Sequence, residues 1–146
     1  MLKAYLSLAI LLSSLLSFAA TDKITYDYYI IFVGEFKHDK ISLSINKKTI
    51  INNYVLENTD PAKQGNLSIT QNDDYLIVAY NGKEIKRSKI SVDFDLALDI
   101  SVNDRKKAFH VNLKKGKVIL IDYTPKSFDA KKELSVEQVQ EPLLLI

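Results

Sequence analysis

Residues 90–103 read Ile90-Ser91-Val92-Asp93-Phe94-Asp95-Leu96-Ala97-Leu98-Asp99-Ile100-Ser101-Val102-Asn103. Every second residue from Ile90 to Val102 is apolar, and the residues between are Ser, Asp or Ala. A helix would scatter these apolar side chains around its whole surface, whereas a strand places them on one face and the aspartates on the other. The stretch therefore predicts one long strand, bent midway, with one face in a core and one in water.

The neighbouring segments extend this reading. Asn103 to Lys106 predicts a turn into a strand over 107–113, with Phe109, Val111 and Leu113 facing inward. Placing Asn103 opposite Lys106 pairs Ile100 with Phe109 and Leu98 with Val111, and a slip by one residue would expose the set. On the outer face that register sets Asp99 against His110 and Asp95 against Lys114. Lys114-Lys115-Gly116 fits a three-residue hairpin loop into a last strand over 117–123, aligning Ile119 and Ile121 with Val111 and Phe109. Pro125 ends that strand.

Upstream, residues 26–35 predict a central strand, because both of its faces are apolar between Tyr28 and Val33. Residues 36–39 turn the chain, and residues 40–46 alternate with Ile41, Leu43 and Ile45 inward. Lys47-Lys48 reads as a two-residue turn into a strand over 49–56. Residues 57–65 form the longest irregular stretch, and Pro61 forbids a central strand there. Strands follow over 66–71, 75–80 and 83–87, joined by Asn72-Asp73-Asp74 and by Asn81-Gly82. Asn-Gly is the strongest hairpin signal in the chain, since both residues tolerate the positive φ of a tight turn.

Eight or nine short strands with regular turns predict an all-β fold, an antiparallel β-sandwich over residues 20–125. Both an immunoglobulin-like and a jelly-roll strand order fit. With no cysteine and no tryptophan, the disulfide–tryptophan signature of antibody domains is absent. Residues 126–146 form a charged, Gln-rich C-terminal tail, weakly helical or extended, that closes on Leu143-Leu144-Leu145-Ile146.

The N-terminus bounds the setting. One lysine, Lys3, precedes an apolar run over residues 4–16, and Ser17-Phe18-Ala19 puts small residues at −3 and −1 of a cut after Ala19. Residues 1–19 thus read as a helical, cleavable signal peptide, and the mature chain as secreted or periplasmic. No membrane span is expected after cleavage, and without cysteine the cut carries no lipid. Removing Lys3 leaves 19 basic against 18 acidic side chains, a balance that argues against nucleic acid as a partner.

Chemistry-bearing residues are sparse. His38 beside Asp39, or His110 facing Asp99, would serve a small hydrolase or lyase as a base oriented by a carboxylate. No nucleophile stands in a matching context, and a surface His–Asp pair is the simpler reading. Asp93 and Asp95 share a face, but Asp99 lies roughly 20 Å from Asp93 along a strand, so they make no cation site alone. Asn66-Leu67-Ser68 is a glycosylation sequon. Lysines crowd the turns, which reads first as solubility and second as a basic patch for an anionic ligand.

No catalytic residue, metal ligand or cofactor is expected. The leading expectation is a non-enzymatic exported binding module for a protein or a glycan, meeting it through loops or a sheet edge. Tyr26 and Tyr75 are the exposed aromatic candidates, and Tyr28 and Tyr123 are expected in the core. Leu143, Leu144, Leu145 and Ile146 either pack back on the domain or serve an assembly subunit by inserting into a neighbouring chain.

Overall fold

A computed structural model describes residues 27–58, 66–91, 93–125 and 127–140. Among the described residues ten strands form and there is no helix: β1 Tyr29–Val33, β2 Phe36–Ile45, β3 Lys48–Asn58, β4 Leu67–Asn72, β5 Tyr75–Tyr80, β6 Lys83–Lys89, β7 Asp95–Val102, β8 Arg105–Asn112, β9 Val118–Pro125 and β10 Lys132–Val139. They make two sheets, one in the order β10-β9-β1-β4-β5-β6 and one in the order β3-β2-β7-β8. Ile30, Phe32, Ile69, Leu76 and Ile121 of the first share one core with Ile41, Leu43, Ile45, Leu98 and Ile100 of the second. The all-β, two-sheet, sandwich-like architecture stands as expected. Each of these side chains is almost wholly removed from water, worth roughly 1.5–3 kcal/mol apiece, so the core holds without a disulfide.

Local chemistry places the corners. Asn46 and Lys47 both take positive φ (48° and 66°), as do Asn81 and Gly82 (51° and 74°), the conformation whose twist matches two antiparallel strands. The β2–β3 turn is therefore Asn46-Lys47, with Ile45 opposite Lys48, one residue earlier than Lys47-Lys48. Asparagine tolerates the left-handed region better than lysine, and it takes the first position. Gly34 (φ 99°) turns the chain from β1 in one sheet to β2 in the other, and a Cβ there would lie 2.5 Å from Asp122 Oδ1.

Several expectations are corrected. The sheets are not wholly antiparallel: β1 pairs parallel to β9, Tyr29 opposite Val118 through Val33 opposite Asp122. The 90–103 stretch is not one strand, since β7 starts at Asp95. Before it the chain leaves the six-stranded sheet, with the Ile90 amide donating to Asp74 O at 2.7 Å and its side chain still buried. Alternation persists because both halves face the same core.

The β7–β8 turn is Asn103-Asp104, which moves the register by two: Ile100 lies opposite Lys107, Leu98 opposite Phe109 and Leu96 opposite Val111. A two-residue shift preserves the faces, so the hydrophobic pattern cannot detect it. Strands β8 and β9 do not form a hairpin, because β9 lies between β10 and β1 in the other sheet. Gly116 serves this crossing by close approach, since a Cβ would lie 2.5 Å from Val139 O.

Of the two conformations expected for the 126–146 tail, helical or extended, Lys132–Val139 takes the extended one and pairs with β9, Leu134 opposite Tyr123 and Val136 opposite Ile121. Glu57 and Asn58 belong to β3 rather than to a loop, and residues 59–65 lie outside the described residues.

Candidate functional site

The alternation that builds the core also sets the outer face of the six-stranded sheet. Inward Ile30 and Phe32 of β1 leave Tyr29, Ile31 and Val33 outward, and inward Leu76 and Val78 of β5 leave Tyr75 and Ile77 outward. In register, Tyr29 stands opposite Thr70, Thr70 opposite Ile77, and Ile77 opposite Arg87. Ile31 lies between Leu120 and Ser68. Aromatic and aliphatic side chains of β9, β1 and β5 thus share this face, with Ser68 and Thr70 of β4 between them. Tyr29 is 45% exposed and Tyr75 42%, and sheet geometry sets their backbones about 12 Å apart. Arg87 lies over the Tyr75 ring at 5.7 Å while its guanidinium holds Glu84 through two bonds of 3.0 and 2.9 Å. That pair lowers the Glu84 carboxyl and raises Arg87.

Tyr75 is exposed as expected, and Tyr28 and Tyr123 are buried as expected. Tyr26 and Leu143 to Ile146 lie outside the described residues. The sequence pattern alone does not single out Tyr29. Both faces of β1 are apolar, which marks a central strand but does not say which face is covered. The available signal was the parity of Tyr28 and Tyr29, adjacent residues that must point to opposite faces.

Neither histidine meets the carboxylate expected for it. His38, at positive φ in an irregularity of β2, pairs with Glu57 at 3.4 Å, both side chains more than half exposed. Asp39 turns away from it, accepting from the Lys37 amide and from Asn103 Nδ2, each at 2.8 Å. Asn103 Oδ1 in turn accepts from the Lys40 amide at 3.0 Å. This network fastens the β7–β8 turn to β2. His110 lies opposite Ala97, and Asp99 opposite Ala108, not opposite each other. Asp95 faces Asn112 rather than Lys114, and Asp93 Oδ1 accepts from the Asp95 amide at 3.2 Å. Among the described residues no group of three or more His, Asp or Glu side chains is placed to hold a metal ion, and no helix is long and apolar enough to cross a membrane.

Two depressions lie elsewhere. One, of about 510 Å³ on the outer face of the four-stranded sheet, is floored by Ser42, Ser44, Ser101 and Ala108 with Asp99 and Lys106 at its rim. The other, of about 390 Å³, opens between β3 and β6 and is lined by Ile50, Ile51, Tyr54, Val78 and Ile85, with Asn52 and Lys86 as its polar members. Tyr54 packs edge-on to Tyr80 at 5.9 Å, and burial, with Tyr80 beside it, raises the Tyr54 hydroxyl. Neither depression is lined by a histidine.

Many basic side chains are spent on the sheet edges. Lys48 donates to Lys89 O, Lys86 to Ile50 O, Arg105 to Lys132 O and Lys107 to Leu134 O. Edge carbonyls are templates for pairing with another chain, and cations laid over them block that route. The exposed sheet face, rather than an edge, is the open surface of the six-stranded sheet. Compared with known proteins, the chain matches no family model, no curated protein and no solved structure.

Proposed function

We propose that the chain is an exported, non-enzymatic binding module of sandwich type that meets a protein partner across the outer face of its six-stranded sheet. The export half of the proposal rests on the signal-like pattern of residues 1–19. The observation that carries the binding half is the pair of exposed rings, Tyr29 and Tyr75, with Ile31, Ile77 and Leu120 on one continuous face. Tyrosine supplies large contact area at little entropic cost, and apolar sheet positions beside it give the dry centre that protein interfaces use. A glycan is the weaker alternative, because Ile31, Ile77 and Leu120 flank the rings with branched aliphatic surface. Capped edges favour the face over strand addition.

The test is the double variant Tyr29→Ser, Tyr75→Ser in the mature protein. Immobilised wild type and variant are exposed to envelope and extracellular proteins and, separately, to a glycan array. A protein partner held by wild type and weakened about a thousandfold by the two changes is the expected result, at about 2 kcal/mol per central aromatic. Binding that survives both changes, or a partner set made of glycans alone, would overturn the assignment.

A further inference from the structure

The two long flanks of the molecule differ. On one, β8 and β10 lie side by side, bridged by Arg105 and Lys107 reaching to Lys132 O and Leu134 O and by Gln138 reaching to Asn112 O. On the other, β3 and β6 stand apart with the 390 Å³ groove between them, crossed by Lys86 on its way to Ile50 O at 2.7 Å. The groove reaches core residues: Ile50, Ile51 and Val78 in its lining are all buried. At its mouth Ile85 is 47% exposed. It is the one apolar residue of β6, whose sequence is Lys-Glu-Ile-Lys-Arg-Ser-Lys, and it sits where the β5–β6 ladder is irregular between Val78 and Ala79. Such irregularities re-aim a side chain. An isoleucine turned toward an apolar groove on an otherwise charged edge suits an apolar occupant.

We infer that this groove receives residues 141–146, Glu-Pro-Leu-Leu-Leu-Ile, of a second copy of the chain. Three observations favour that occupant. Its four consecutive apolar side chains match the lining, and its proline lacks the amide that strand pairing over the capped carbonyls would need. Lys48, Lys83 and Lys89 belong to the two strands that border the groove, so Glu141 would arrive among cations.

Reach decides between own and neighbouring chain. Residues 141–146 leave from β10, at the opposite edge of the six-stranded sheet from β6. Five strand spacings make that distance about 24 Å, while Leu143 extends at most about 14 Å beyond Val139, Leu145 about 21 Å and Ile146 about 25 Å, and only along a straight path through the core; around its surface none of the four apolar residues arrives. A copy cannot fill its own groove. Donor and acceptor lie on opposite flanks, so the contact is head-to-tail and propagates into chains rather than closing as a two-fold dimer.

The test uses the mature protein in a sedimentation-velocity concentration series. Ile85→Glu, at a half-exposed site, disables the acceptor, and its circular dichroism spectrum should match that of wild type. A chain ending at Gln140 lacks the donor. Wild type should show masses above monomer that rise with concentration, and each variant alone should associate about tenfold or more weakly, since a charged group would have to leave water in the apolar contact or the apolar segment would be lost. An equimolar mixture of the two variants should form a one-to-one dimer and stop there, because only one complementary pair of ends remains. A monomeric wild type at every concentration, association undiminished in either variant, or a mixture that stays monomeric overturns the inference. The Tyr29 and Tyr75 face is on neither surface, so the double tyrosine variant should associate like wild type.

Discussion

Tyr28, unlike the adjacent and chemically identical Tyr29, is sent into the core by the alternation of an extended backbone. Its ring fills the core at 1% exposure and its hydroxyl is buried without a hydrogen-bond partner, while Tyr29 beside it stands in water. An unpaired buried hydroxyl costs about 1–3 kcal/mol. Tyr28→Phe should therefore leave stability at neutral pH unchanged or raise it by about 1 kcal/mol, measured by urea denaturation. Desolvation also raises the Tyr28 hydroxyl above the ordinary tyrosine value. The folded state thus holds its proton when the unfolded chain, titrating near 10, has begun to lose it. That contribution to stability is complete below about pH 10 and disappears as pH rises toward the folded value, so wild type should lose stability above about pH 10 with a slope that Tyr28→Phe reduces. Equal slopes in both proteins would locate the alkaline loss elsewhere.

At the scale of elements, the turns hold most of what local chemistry decides. Asn81-Gly82 is a hairpin as its sequence demands, and Asn46-Lys47 adopts the same positive φ pair with a less suitable second residue. Lysine in the left-handed region costs roughly 1–2 kcal/mol, so Lys47→Gly should stabilise the protein by about 0.5–1 kcal/mol after glycine's entropy is counted. No gain in melting temperature would mean that Lys47 makes a compensating contact. The opposite case is Gly116, where a Cβ would meet the Val139 carbonyl carbon at 2.8 Å and its oxygen at 2.5 Å. Gly116→Ala should push β10 from β9 and accelerate amide hydrogen exchange along Lys132–Val139 while β7 and β8 stay protected. Exchange raised equally in both sheets would refute that local reading. The β7–β8 register was legible only as a choice of face: a shift of two residues changes every partner but not one side chain's burial.

For the whole molecule, a single core spans both sheets, and chain crossings between them follow β1, β3, β6 and β8. Neither sheet has its own hydrophobic interior, so thermal unfolding should be one cooperative transition by both near- and far-ultraviolet circular dichroism, unaffected by reductant. Two separated transitions would contradict this. The Asn81-Gly82 hairpin, the inward residues of β2 and β7, and the burial of Tyr28 and Tyr123 were determined by the sequence, because a period of two and the turn chemistry of Asn and Gly act between near neighbours. Tertiary structure alone decided what depends on partners far along the chain. It made β9 the parallel neighbour of β1, and turned the tail segment Lys132–Val139 into an edge strand against β9. It also separated His110 from Asp99, and left Tyr29, Ile31 and Ile77 on an open face beside a groove at Ile85. Apolar patterning states that a side chain prefers to leave water; only the placement of distant strands states whether something is there to cover it.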